Sequence, residues 1–501
     1  MRENILLNPN PLVSYLNKPK SDFTKADLMD FIAAHDIQMV NFRYVAADGR
    51  LKVLNFVVNN KKYLDSYLSS GERVDGSSLF RHIEAGSSDL YVVPRFRTAF
   101  VNPFASIPTL EILCSYYNKD GDPLTGSPEN LVLSAHNVLK ERTGYTFEVM
   151  GELEYYVISN EEETFKAVDQ RGYHEADPFS KFGEFRMQAM HYIAQCGGDI
   201  KYGHSEVGNF SLNGMLYEQN EIEFLPTNVE EAADQLVVAK WVLRNLAWQY
   251  NYDLTFAPKI TTGKAGSGLH IHTRLLKDGK NVMLNKENKL SDVAKRAIAG
   301  YLTLAPSLTA FGNTNPTSYF RLVPHQEAPT KICWGDRNRS VLVRVPLGWV
   351  SNKSMINDAN PLEEDMNLNF SDKQTVEFRC PDGSADIYSL IAGLTVGARL
   401  GLEMPNALEI AEKTYVDVNI FSDEFKDRID SLNSLPVCCV DSAARLEAQA
   451  AEYTKYGVFP QGTIDGIVKQ LKSFNDSNLF NEVKNNEAKL LELVKKYFYC
   501  G

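Results

Sequence analysis

The chain has 501 residues and a formal net charge of −12. Hydrophobic residues make up 44% and charged residues 23%, a globular balance that excludes a disordered or collagen-like chain. An acidic chain without a basic block is a poor nucleic-acid binder, and its charge argues against anionic membrane surfaces.

No apolar run reaches the length of a membrane span; the best, Leu390 to Ala398, ends at Arg399. The first residues, MRENILLNPNPLVSYL, carry Pro and Asn where a signal peptide needs unbroken apolar sequence. The expectation is a soluble cytoplasmic protein. Seven scattered cysteines without a CxxC spacing read as buried free thiols.

In chain order, residues 22–35 have helical apolar spacing behind an Asp or Thr cap. Strands follow over Gln38–Tyr44 and Leu51–Val58, with the turn signal AADGR between them. Residues 63–72 read as a short helix and 89–95 as a strand. Pro103 and Pro108 then punctuate the chain, which sets a small domain over 22–106 and a large one over 107–501. In the large part, helical patterns at 129–142, 182–196, 228–250, 292–311, 385–402 and 440–452 alternate with short strands, and the last 45 or so residues are amphipathic helix. The fold class is α+β.

Several strands carry ionisable residues at i, i+2: Glu152 and Glu154, Glu221 and Glu223, His270 and His272, Glu377 and Arg379. Such positions share one face of a strand. Paired carboxylates repel one another unless a cation lies between. Repeated Glu and His pairs therefore point to a pocket for hard divalent cations, Mg²⁺ or Mn²⁺ rather than zinc. A basic cluster, Arg321, Arg337, Arg339 and Arg344, follows in the chain. Guanidinium groups near metal ligands suit a nucleotide polyphosphate. Gly266-Ser267-Gly268 lacks the third glycine of a dinucleotide fingerprint, and no Walker A pattern is present, so any ATP is bound without a P-loop.

The motifs VDGSS (74–78), GELEYY (151–156), SEV (205–207), EQNEIEF (218–224), GSGLHIH (266–272), NPTSYFRLVPHQEAP (315–329), NRSVLVRVP (338–346) and VEFRCPD (376–382) occur in one order along the chain. In this the sequence resembles the glutamine synthetase family from about residue 25 to the end. The resemblance implies an N-terminal β-grasp domain and a catalytic domain whose antiparallel strands line a funnel-shaped site. It also implies a homo-oligomer of stacked rings, about twelve subunits in a double ring, with each site completed by the neighbour's β-grasp loop.

By the same resemblance, Glu154, Glu206 and Glu221 would ligate one metal ion and Glu152, His270 and Glu377 a second. His272, Arg339 and Arg344 would meet ATP and the transferred phosphoryl group. Arg321, Arg379 and Gly266 would hold glutamate. Asp75, Ser78, Tyr173 and Glu327 would form the ammonium site, with Asp75 as base and Glu327 on a flap. The implied reaction is ATP-dependent condensation of glutamate with ammonia through γ-glutamyl phosphate. The phosphoryl group supplies the leaving group that a carboxylate lacks.

Two positions depart from the family pattern: Ala265 stands where Asn is usual, and Thr375 where many bacterial members have Arg. The stretch from Glu206 to Glu221 is also long, with Glu218 in place of a usual Gly. These keep open a γ-glutamyl ligase that uses a polyamine or another larger amine as acceptor. In the Asn419-Ile420-Phe421 segment, Phe421 replaces the tyrosine that other members modify.

Overall fold

Thr24 begins the first long helix with a reciprocal cap: its hydroxyl accepts from the Asp27 N–H and the Asp27 carboxylate accepts from the Thr24 N–H. The helix Lys25–Ala34 then buries Leu28, Phe31 and Ile32. The computed structural model describes residues 5–80, 83, 88–324, 328–348, 355–363, 371–418, 420, 427, 431–483 and 486–501; Glu327 and Phe421 lie outside them.

A small sheet forms the N-terminal unit. Its strands are β1 (Met39–Val45), β2 (Leu51–Val57), β3 (Glu72–Asp75), β4 (Asp89–Pro94), β5 (Phe100–Val101) and β6 (Thr109–Tyr117). The order is β2-β1-β6-β4-β3, with β5 also on β6. The hairpin forms as the AADGR turn requires, pairing Val45 with Leu51, and β1 runs parallel to β6. The helices Lys25–Ala34 and Lys61–Ser70 cover this sheet with Phe31, Leu64, Tyr67 and Leu68 against Val40, Phe42 and Ile112.

The expected boundary near residue 107 cuts this sheet before one of its central strands. Pro103 and Pro108 flank a bend that leads into β6, not an exit from the unit; β6 hydrogen-bonds to β1 and β4 and carries the small sheet to Tyr117. Proline marks where regular pairing stops, and pairing resumes directly after it.

The second sheet runs β14-β15-β16-β12-β7-β9-β8. Its strands are β7 (Thr146–Asn160), β8 (Ile200–Leu212), β9 (Met215–Phe224), β12 (Leu269–Lys277), β14 (Trp334–Asp336), β15 (Val343–Val345) and β16 (Val376–Phe378). Short strands β10 (Thr227–Asn228), β11 (Asp253–Thr255) and β13 (Lys280–Asn281) pair at its margins. One face buries Leu153, Tyr155, Ile222, Phe224, Ile271 and Phe378 in a core shared with the helices Val229–Gln249, Asp292–Gly312 and Ile387–Glu403. The last two helices cross so closely that a Cβ on Gly300 would sit 1.9 Å from the Gly397 carbonyl oxygen. Ile387–Glu403, which contains the most apolar run of the sequence, is thus a core helix; no single described helix is long and apolar enough to cross a membrane.

The two units are clamped by Arg95, which meets Asp234 of the helix Val229–Gln249 through two parallel bonds of 2.7 and 2.9 Å. Both side chains are about nine-tenths buried, and Tyr388 donates to the same carboxylate at 2.6 Å. Such bidentate geometry compensates the desolvation of both charges.

Candidate active site

Strand pleat decides which side chains meet. On β7, Leu153 and Tyr155 face the core, so Glu152 and Glu154 face the other way. The register then lines up three rows across the sheet. Tyr202, Glu223, Glu152 and His270 are successive cross-strand neighbours. One step along, His204 pairs with Glu221 and Glu221 with Glu154. On the other side, His272 pairs with Glu377 and Glu377 with Arg344. All of these except Glu377 line a cavity of about 870 Å³, with Tyr173, Glu206, Gly266, Arg321, Arg339 and Arg379.

The i, i+2 pairs singled out in the sequence therefore converge on one wall. Glu152 is the hub: its two oxygens meet His270 Nδ1 at 2.9 Å and His272 Nε2 at 2.7 Å. The second nitrogen of His272 meets the Thr375 hydroxyl at 2.8 Å. Thr375, one of the departures, thus orients this imidazole. Burial opposes ionisation of Glu152, yet the two histidines hold its carboxyl well below the usual range. Glu377 is fully buried behind this row and accepts from Arg344 at 2.8 Å and from Arg379. Arg344, which sits in an apolar run, thus has its charge partner inside the protein.

One carboxylate oxygen each of Glu152 and Glu377 and one ring nitrogen of His270 lie within 4.8 Å of one another, a spacing that one divalent cation could bridge. This brings together one of the two expected ligand sets. For the other, the structure groups Glu221 with His204 and Glu223, again within 4.8 Å, rather than with Glu154 and Glu206. Glu154 instead accepts from the Gly268 N–H at 2.6 Å and from Gln219 at 2.9 Å. Burial, and then the nearby carboxylates of Glu152, Glu154, Glu206 and Glu223, push Glu221 well above the usual carboxyl range.

Arg321 is buried and donates to the carbonyls of Cys380 at 2.8 Å and Arg379 at 3.3 Å. The Gly-Ser-Gly turn explains itself here. A Cβ on Gly268 would lie 2.6 Å from Arg321 Nη2 and 2.8 Å from His270 Nε2. The glycine makes room for a guanidinium and an imidazole, not for a dinucleotide.

The segment before the helix Gly183–Gln195 lies along the edge of β8, where the N–H groups of Gln170, Gly172 and His174 bond to Asn209, Val207 and Ser205. It brings Tyr173 to the cavity. Glu218 clamps its far end, accepting from Ser180 at 2.9 Å and the Lys181 N–H at 2.8 Å. Gln170 reaches across to the Ala265 N–H at 2.7 Å, tying this segment to the turn at the other departure. Asp75 and Ser78 line no part of the cavity of their own chain. Asp75 caps the helix Gly76–Leu79 at the far side of the small sheet, and hydrogen bonds from Ser78, Ser77 and Ser88 hold its carboxyl well below the usual range.

Residues not anticipated also line the cavity: Lys201, Tyr202, His174 and His204. His204 was detectable, two residues before Glu206 at the same strand spacing that flagged the other pairs. Lys201 bonds to Glu223 at 2.6 Å, a contact between β8 and β9 that no local pattern reveals.

A family model for "Glutamine synthetase, beta-Grasp domain" matches residues 36–119, and one for "Glutamine synthetase, catalytic domain" matches residues 126–490. Glutamine synthetase of Methanosarcina mazei is 30% identical over 423 residues, 82% of this chain and 86% of that protein. That of Clostridium saccharobutylicum is 28% identical over 422 residues, 83% and 87% of the two chains. Among solved structures, Plasmodium falciparum glutamine synthetase superposes with a TM-score of 0.73 at 20% identity, covering 94% of this chain and 98% of that one. A GmaS complex with ADP superposes at 0.70 with 16% identity, covering 92% and 98%.

Proposed function

The chain belongs to the glutamine synthetase family, and from that premise we propose that it condenses glutamate with ammonia, using ATP and passing through γ-glutamyl phosphate. The observation that carries the reading is the Glu152–His270–Glu377 cluster in one wall with Arg321, Arg344 and Arg379. Cation ligands and buried guanidinium groups side by side suit a polyphosphate and a dicarboxylate together.

Glu152, His270 and Glu377 fit a divalent cation, Mg²⁺ or Mn²⁺, by donor type and spacing. When bound, such an ion neutralises charge on nucleotide phosphates. Arg339 and Arg344 stabilise the phosphoryl group as it moves, and His272 stands beside it. Arg321 and Arg379 receive the glutamate carboxylates, next to Gly266. Tyr173 borders the cavity where ammonium would sit, and by the family resemblance Glu327, outside the described residues, would belong to a flap that excludes water from the acyl phosphate. Asp75 and Ser78 line no part of their own chain's cavity, and by the family resemblance they would complete the site of a neighbouring copy in a ring-shaped homo-oligomer. The serine hydrogen bonds on Asp75 keep it ionised, which suits it to hold an ammonium ion.

A second reading, a larger amine as acceptor, is favoured by one feature. The rings of Tyr173 and His174 stack at 4.2 Å, His174 and His204 lie 4.3 Å apart, and Tyr202 follows at 6.0 Å. An aromatic wall beside carboxylates can hold an alkylammonium. The deciding experiment measures ADP release with glutamate and either ammonia or a panel of amines, with the amide product identified by mass. Glutamine formation supports the first reading. Turnover with an organic amine and none with ammonia overturns it.

A further inference from the structure

We infer that Gln170 is a positioning residue for the acceptor side of the cavity: its side-chain amide latches the segment that carries Tyr173 and His174 onto the turn that carries Gly266. Gln170 lines no part of the cavity itself. Its Oε1 accepts from the Ala265 N–H at 2.7 Å, and its Nε2 donates to the Asn209 carbonyl at 3.2 Å. The first partner can only donate and the second can only accept, so both ends of the amide are assigned. The Tyr156 hydroxyl holds the same residue from its other side, donating to the Ala265 carbonyl at 2.8 Å. Residue 265, an alanine, brings no side-chain amide of its own to the turn; the amide comes from residue 170.

Gln170 and His174, on either side of Tyr173, adopt φ of 57° and 58°, left-handed values that residues other than glycine rarely take. Such backbone persists only where its surroundings impose it. On one side the edge of β8 does so, through the N–H groups of Gln170, Gly172 and His174. A Cβ on Gly172 would lie 2.6 Å from the Glu206 carbonyl oxygen, so the segment lies directly against that strand. On the other side Gln170 holds the Gly-Ser-Gly turn, against which Arg321 packs: a Cβ on Gly266 would lie 3.0 Å from Arg321 Cγ. The neighbouring link, from Lys264 to Asp169, is an exposed ion pair of the kind that contributes little. Gln170 therefore couples the aromatic wall of Tyr173 and His174 to the turn beside the acid-binding guanidinium. The kinetic consequence of the latch rests on the ligase reading; the latch itself does not.

The test pairs hydrogen exchange of residues 161–182 in the full-length protein with steady-state constants for acid, ATP and acceptor amine. Gln170→Gly takes the left-handed φ without strain but lacks the amide. Gln170→Glu keeps an oxygen for the Ala265 N–H, and the Asn209 carbonyl keeps the backbone N–H of residue 170 at 2.9 Å. Gln170→Gly should speed exchange across the segment and raise KM for the acceptor about 10-fold, the size of one lost hydrogen bond to a buried N–H. KM for the acid should change less and KM for ATP not at all. Gln170→Glu should lie closer to wild type on both readouts, and Asp169→Asn should alter neither. Wild-type exchange in Gln170→Gly, or equal loosening in Gln170→Gly and Gln170→Glu, overturns the latch. Faster exchange with an unchanged acceptor KM, or with an equal rise in all three constants, overturns the positioning role. A wild type that releases no ADP with any acid and amine refutes the ligase reading instead, and exchange in the three variants then decides the latch without turnover.

Discussion

Lys240 offers the sharpest test of the electrostatics beneath the site. It lies on the helix Val229–Gln249, 3% exposed, and donates to the Gly383 carbonyl at 2.7 Å, above the ring of Phe256. Burial, aided by Arg244, pushes its pKa from 10.5 down to about 7. At 1.36 kcal/mol per unit, the gap between 10.5 and 7 is a cost of about 5 kcal/mol. The unfolded chain binds the extra proton between pH 7 and 10.5, so stability rises with pH through that window and the full cost applies below it. Lys240→Met removes the charge at similar volume but orphans the Gly383 carbonyl, which costs ~1–3 kcal/mol. The variant should therefore be more stable than wild type by ~2–4 kcal/mol near pH 6.5 and less stable by ~1–3 kcal/mol near pH 10. Urea unfolding across that range measures the difference directly. An offset that stays flat from about pH 7 to 10, or a variant less stable at every pH, would refute the reasoning.

Three further outcomes follow from the site. Glu152→Ala should abolish ATP-dependent turnover while the oligomeric mass stays that of the wild type; undiminished ADP release would remove Glu152 from the metal site. Asp75→Ala should spare phosphoryl transfer, read as acid-dependent ADP release, more than amide formation, and equal loss of both would count against its place in the ammonium site. Gly268→Ala forces a methyl group to within 2.6 Å of Arg321 Nη2, so the guanidinium must move. A displacement of that size should lower kcat/KM for the acid substrate by about 100-fold, and wild-type kinetics would show that Arg321 does not position it.

The strand faces were legible because the pleat has a period of two and because Glu and His pairs are costly on a solvated sheet. That rule put Glu152 with Glu154, Glu221 with Glu223, His270 with His272 and Glu377 with Arg379, each pair on one face of its own strand, and the register then brings these faces to one side of the sheet. What stayed hidden depends on pairing between segments far apart in the chain. The boundary near residue 107 failed because β6 joins the small sheet by a parallel pairing with β1, some seventy residues earlier in the register of Arg43 with Leu113. Proline spacing says nothing about which sheet the next strand enters. The Thr375–His272 contact spans 103 residues, and it gives the departure at Thr375 a role no motif comparison suggests.

The same distance explains how a wall of like charges is tolerated. Glu377 is neutralised by Arg344 and Arg379 and Glu223 by Lys201 of β8, while Glu152 meets His272, whose pKa is raised by the Glu152 charge against its burial, and His270, which burial and Arg379 hold toward its neutral form. Arg344 and Lys201 reach their acids from neighbouring strands, so those pairs are hidden in the sequence, whereas Glu377 and Arg379 stand two residues apart in the chain. Glu221 has no lysine or arginine ion pair among the described residues, and burial with four neighbouring carboxylates drives it toward its neutral form. A buried carboxyl that keeps its proton avoids the cost of an unpaired buried charge. The wall therefore tolerates its acids in two ways, by internal counterions at Glu377 and Glu223 and by a raised pKa at Glu221, where burial comes first and the neighbouring carboxylates add to it.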